Sequence, residues 1–178
     1  DVSNLKQHFQ RRESLFFSLG IIPRLINGKS VLEFGPGSGH NALYTASLKP
    51  SKYILVDGNQ KGVQETRLRL ASFTAVKSEV HHALFDQFQT DTKFDLVWAE
   101  GCLPHQSRPL TLLKHVASFV REGGVLCVST NNGISILSET LRRLYRDRFF
   151  EAKEDIHVQA RQLTPYLQPH LQHLRGMS

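Results

Sequence analysis

Apolar positions along this chain change their period again and again. Leu5, Phe9 and Phe16 recur at helical spacing and Gly20 follows as a stop, which predicts a helix over residues 3–19. Pro23 to Ile26 adds a turn. "KSVLEF", ending at Phe34, is then a short continuous apolar run of strand type. His40 to Leu48 suits a helix that Pro50 halts. "KYILVD", ending at Asp57, is a second strand, and Val63, Leu70 and Ala71 mark a helix over residues 61–73. "SEVHHALF", residues 78–85, predicts a third strand, and "FDLVWAE", residues 94–100, a fourth. Leu113, Val116, Ala117 and Val120 lie on one helical face; "EGG", residues 122–124, breaks the chain; "VLCVST", residues 125–130, is a fifth strand. Leu137, Leu141 and Leu144 mark one more helix. From Ile156 the two prolines of "QLTPYLQPHLQHL" leave room only for short helices, and no strand follows Thr130.

Continuously apolar strands alternating with helices predict a parallel sheet buried on both faces. Right-handed crossovers make that a doubly wound α/β fold. Its expected division is an α/β domain over residues 1–150, with residues 151–178 as a helical extension.

The glycines then raise the question of chemistry. Gly35, Gly37 and Gly39 stand on alternate positions between the first strand and the first following helix. In a doubly wound sheet a ligand binds beyond the carboxyl ends of the strands. Glycine there leaves no Cβ between backbone and ligand, and the helix adds oriented N–H groups. A dinucleotide fingerprint, G-x-G-x-x-G, needs glycine where this chain has His40, so that reading is disfavoured.

Composition narrows the field modestly. The chain has 178 residues, a size for one core, and 40% hydrophobic with 21% charged residues reads as globular. No apolar run approaches the roughly 20 residues of a membrane span. The start has no signal-peptide plan and no Met, which reads as a piece of a longer chain. Cys102 and Cys127 lie far apart without metal-ligand spacing, which fits a reducing, cytoplasmic setting. Cys127, within an apolar run, reads as a small buried hydrophobe. Nine histidines form no ligand pair beside a glutamate, so no metal site is expected. The net charge of +6 is compatible with nucleic acid, but the basic residues are scattered; the densest group, Arg142 to Arg148, reads as a solvated helix face.

The spacing E-x-G-x-G-x-G, from Glu33 through Gly39, resembles motif I of the class I S-adenosylmethionine-dependent methyltransferases. Asp57 at the end of the second strand, "FDLVWAEGCLPH", and "LLKHVASFVREGGVLCVSTNN" with its Gly-Gly fit the same family. The resemblance covers about residues 5–144. It implies a Rossmann-like methyltransferase fold with S-adenosyl-L-methionine as cofactor. Glu33 would orient the loop or meet the methionine amino group through water. Gly35 and Gly37 would pass close to the methionine part and the ribose, with Gly39 the third cofactor-binding glycine of the loop. Asp57 would hold the ribose hydroxyls with Gly58 and Asn59 beside the adenosine. Leu84 and Phe85 would flank the adenine, with Asp86 the nearest acidic residue. Ala99, Glu100 and Gly101 would lie near the methionine, and Arg11 or Arg12 would meet its carboxylate. Bland readings stand beside these: Asp57 as a helix cap, Glu100 as a solvated carboxylate, Trp98 as core.

Methyl transfer from a sulfonium needs alignment above all. His105 and Glu100 are the candidate bases for an acceptor proton. "AEGC" after the fourth strand lacks the [NDS]-P-P-[YFW] pattern for exocyclic amines of nucleic acid, and the segment resembles small-molecule methyltransferases. An RNA methyltransferase and a non-catalytic cofactor-binding module are the alternatives. The family's last two strands are not found in this sequence, which would leave the fifth strand's edge open to another chain.

Overall fold

The computed structural model describes residues 4–74, 76–133, 136–149, 155, 157–159, 161–162 and 164–165. Helices and strands alternate: α1 (Leu5–Ser18), β1 (Ser30–Phe34), α2 (His40–Ser47), β2 (Lys52–Asp57), α3 (Gln60–Leu70), β3 (Ser78–His82), β4 (Phe94–Ala99), α4 (Pro109–Ala117), β5 (Val120–Val128) and α5 (Leu137–Phe149). All pairs are parallel and the strand order is β3-β2-β1-β4-β5. This is the Rossmann-like, doubly wound sheet that the alternating pattern predicts. Among the described residues no sixth or seventh strand follows β5. The chain divides into two compact units, Asp1–Thr130, which carries the whole sheet, and Asn131–Ser178, which carries α5. The segment from Tyr166 onward lies outside the described residues.

The three central strands are buried almost end to end, as crossovers on both faces require. Two apolar clusters sandwich the sheet. One gathers Phe16, Val31, Tyr44, Tyr53, Leu55, Val63 and Trp98; the other gathers Leu32, Phe34, Val56, Phe88, Phe94, Val97 and Val116. Trp98 belongs to the core, stacked on Phe16 with ring centroids 4.7 Å apart. Full burial of each such side chain contributes about 1.5–3 kcal/mol.

Four local expectations need correction. The third strand ends at His82 rather than Phe85, because only residues up to His82 find partners on β2. "EGG" does not break the chain but lies inside β5, which starts at Val120. The ladder to β4 is irregular there, between the pairs Phe94–Val120 and Leu96–Val125. Glycine is required at 124 because a Cβ would come within 2.9 Å of the Phe94 carbonyl oxygen. Of the α1 stripe Leu5, Phe9 and Phe16, Phe16 is buried and Phe9 packs half-buried against the core, but Leu5 is 42% exposed, and the polar His8 and Arg12 complete the buried set. Cys127 is only half-buried, because β5 is an edge strand.

Candidate functional site

The carboxyl ends of β1, β2 and β4 converge on the glycine loop. Gly35, Gly37 and Gly39 all adopt left-handed backbone, with φ of +73°, +58° and +82°. That conformation strains any other residue. Their surroundings separate their roles. A Cβ on Gly35 would sit 2.8 Å from the Cys102 Cβ, and one on Gly39 would sit 2.8 Å from the Thr66 Cα. A Cβ on Gly37 would meet nothing within 4 Å. Two glycines therefore serve close packing, and the middle one faces open space.

The loop is held from outside by several groups. Asp57, 7% exposed, accepts the Gly37 N–H at 2.9 Å through Oδ2 and the Asn59 N–H at 2.8 Å through Oδ1. The Thr66 hydroxyl donates to the Gly37 carbonyl at 3.2 Å, and Arg69 Nη1 donates to the Ser38 carbonyl at 2.7 Å. Gly62 on α3 lets that helix close on the loop, since a Cβ there would lie 2.7 Å from the Gly37 carbonyl oxygen. Sequence reading missed Thr66, Arg69 and Gly62. A small residue and a hydroxyl one turn apart on the α3 face were the available signal. Asn59 caps α3, its Oδ1 accepting the Lys61 N–H at 2.9 Å. Asp57 is a latch on the loop as well as a candidate ribose ligand.

A second group of polar residues gathers beside β4. Arg12 reaches over from α1 and its Nη1 donates to both oxygens of Glu100, at 3.0 and 2.8 Å. The Trp98 indole N–H donates to Glu100 Oε2 at 3.0 Å. The Arg12 guanidinium also lies over Trp98 and Phe16, 5.5 and 5.8 Å from their ring centroids. Arg12 is 6% exposed, and its buried Nε has no hydrogen-bond partner among the described residues. Arg11 is exposed.

Beneath them, Glu33 is 5% exposed and accepts a hydrogen bond from the Tyr53 hydroxyl. Burial pushes its carboxyl up to about 7, against the opposing pull of Tyr53 and Arg12.

The remaining candidates spread around this centre. Gly58 lies under exposed Leu84, whose Cδ2 is 3.5 Å from where a Cβ would stand. Phe85 packs edge-on against Phe34, its ring reaching toward Gly35. Ala99, the last residue of β4, is fully buried. Gly101, at φ +69°, has open space where a Cβ would stand, and its N–H donates to the Ser129 hydroxyl at 2.6 Å. His105 is exposed on the short turn Leu103–His105. Asp86 lines a cavity of about 420 Å³ with Gln106, Arg108, Thr111 and His115. The Cys102 thiol is raised to about 11 by burial, which keeps it neutral. Among the described residues no group of His, Cys, Asp and Glu is placed to hold a metal, and no helix is long and apolar enough to cross a membrane.

The family model described as a methyltransferase domain matches residues 7–175, nearly the whole chain. The chain belongs to the class I S-adenosylmethionine-dependent methyltransferase family. Solved structures agree on the fold. An S-adenosylmethionine-dependent methyltransferase from Geobacter sulfurreducens, in complex with S-adenosyl-L-homocysteine, superposes with a TM-score of 0.55 at 20% identity, over 67% of this chain and 47% of that one. The CcbJ methyltransferase from Streptomyces caelestis gives 0.52 at 21% identity, over 66% and 47%. A proposed RNA methyltransferase from Pyrococcus horikoshii gives 0.52 at 20% identity, over 78% and 68%. This methyltransferase chain spans about half the length of the first two. No curated protein matches it in sequence.

Proposed function

We propose that this methyltransferase chain binds S-adenosyl-L-methionine at the glycine loop and transfers the methyl group to a small-molecule acceptor by in-line displacement. The observation that carries the reading is the joining of Asp57 to Gly37, with open space on the other side of Gly37. A ligand-facing loop needs that combination; a merely structural turn does not. The open space over Gly37 and Gly101 and the unpartnered Nε of buried Arg12 accord with the group the family uses. When bound, the cofactor supplies a methyl already activated by the sulfonium.

The chain's own residues position it. Each Asp57 oxygen accepts one N–H and keeps a second lone pair for a ribose hydroxyl. Gly58, Leu84 and Phe85 border the adenosine. Arg12 holds the methionine carboxylate, and Glu33 lies beside the amino group. Glu100 is engaged by Arg12 and Trp98, which suits it to orienting these groups. His105, exposed past β4, is the base for an acceptor that must lose a proton. All of these residues fall within Asp1–Thr130, so the cofactor-binding part lies there. Two free cysteines accord with a cytoplasmic setting.

Calorimetry with S-adenosylhomocysteine tests the cofactor reading. Binding is expected, and Asp57→Ala should weaken it at least tenfold. No heat from the unmutated, folded chain would remove the proposal. An RNA acceptor is the second reading, favoured by the net charge of +6. RNA binding that falls steeply with salt would favour it.

A further inference from the structure

Among the described residues, buried Glu33 has no counter-charge of its own. In the sheet it sits in register with Leu55 on β2 and Trp98 on β4, against the apolar cluster that includes Val31, Tyr53 and Phe16. The titratable groups facing it are Arg12 from α1, Tyr53 from β2, and Glu100 and Cys102 from the end of β4 and the loop beyond. Arg12 is the natural partner for its charge. Yet Arg12 donates to both oxygens of Glu100, and no cation lies within ion-pair distance of Glu33 among the described residues. One neutral donor, the wholly buried Tyr53 hydroxyl, serves Glu33. The desolvation of an ionised carboxylate there outweighs the Tyr53 hydrogen bond and the more distant pull of Arg12, so the protonated form gains ground.

We propose that Glu33 holds a proton while the site is open and gives it to solvent when a ligand ammonium arrives beside it, with Tyr53 as the positioning residue that tunes this exchange. The inference rests on the reading above, in which the cofactor's amino group lies against Glu33. The Glu33 O–H bond breaks, its electron pair stays on the carboxylate, and the proton passes to buffer. The ammonium keeps its own protons, and the new ion pair replaces the missing counter-charge. Burial is what makes the exchange measurable near neutrality: with the carboxyl at about 7, Glu33 is about half protonated at pH 7.

The test is calorimetry of the full chain with S-adenosylhomocysteine. It is run at pH 6, 7 and 8, each in two buffers of different ionisation enthalpy. Release of roughly half a proton per ligand is expected at pH 7, nearly one at pH 6 and about a tenth at pH 8. Affinity should fall several-fold from pH 7 to pH 6. Glu33→Gln should abolish the release. Tyr53→Phe removes a donor that favours the carboxylate, so the midpoint should move up by about one pH unit. A purely structural Tyr53 would change affinity without moving that midpoint. Failure to bind at all would remove both this inference and the cofactor reading. Binding with no proton release at pH 6 and 7, or a release that survives Glu33→Gln, would overturn the inference and leave the cofactor reading in place.

Discussion

Two arginine–carboxylate pairs stand at opposite ends of the sheet, and they do different work. At the amino ends, Arg121 meets Asp95 at 2.7 Å, with side chains 46% and 21% exposed. Asp95 also accepts the Ser30 N–H and hydroxyl, both at 2.8 Å, and so pins the start of β1 to β4. Its partial burial works against ionisation, but the Ser30 bonds and Arg121 prevail and hold its carboxyl down at about 2. At the carboxyl ends, Arg12 and Glu100 pair at 2.8 Å with side chains 8% and 34% exposed. The arginine is now the buried member and retains an unpartnered Nε. The amino-end pair joins neighbouring strands and is satisfied there. The carboxyl-end pair joins a helix to a strand tip and keeps capacity for a further anion. Burial and unspent hydrogen-bonding groups therefore separate a fastening from a candidate site.

That contrast can be broken at three points. The largest effect should come from Gly39→Ala at the carboxyl end. Its left-handed φ and the overlap with the Thr66 backbone should cost about 2–3 kcal/mol. Affinity for S-adenosylhomocysteine should fall at least a hundredfold, as read by thermal unfolding and calorimetry. Gly20→Ala, also at positive φ but with nothing within 4 Å, should leave binding intact. Next, Arg12→Ala should weaken S-adenosylhomocysteine about tenfold in a titration, with the fold retained by circular dichroism. An unchanged affinity would make the Arg12 pair another fastening.

The smallest effect belongs to the amino end. Asp95→Asn should cost about 1 kcal/mol in urea unfolding at pH 7, once solvent screening is allowed for, and change cofactor affinity less than twofold. The sign of its pH dependence follows from a folded-state pKa below the unfolded one. The contribution is full above about pH 4 and is lost as pH falls toward 2. The Asn variant should therefore differ from its parent at neutral pH and converge with it in acid. A loss of cofactor binding in this variant would erase the distinction between the two ends.

The strands and helices were legible because parallel strands buried on both faces must be apolar throughout, and β1, β2 and β4 are. The glycine loop was legible because three alternate glycines between a strand and a helix exceed what a turn requires. The buried face of α1 was legible only at Phe9 and Phe16. His8 and Arg12 are polar, and hydrophobic period cannot point to a polar residue whose partner lies elsewhere in the chain. Arg12 meets Glu100 across 88 positions. The "EGG" segment was misread for a related reason. Glycine weakens a strand by propensity, yet at β5 the irregular pairing with β4 demands it.

What the sequence determined by itself is the order of the elements, the doubly wound sheet and the loop at its switch point. Each of these follows from local periodicity and from the conformational freedom of glycine. Only the tertiary structure decided which carboxylate latches the loop, which arginine is buried, and that Tyr53 serves Glu33. Those pairings join residues far apart in the chain. Their energies arise from desolvation and hydrogen-bond geometry, which come into being only when the elements pack.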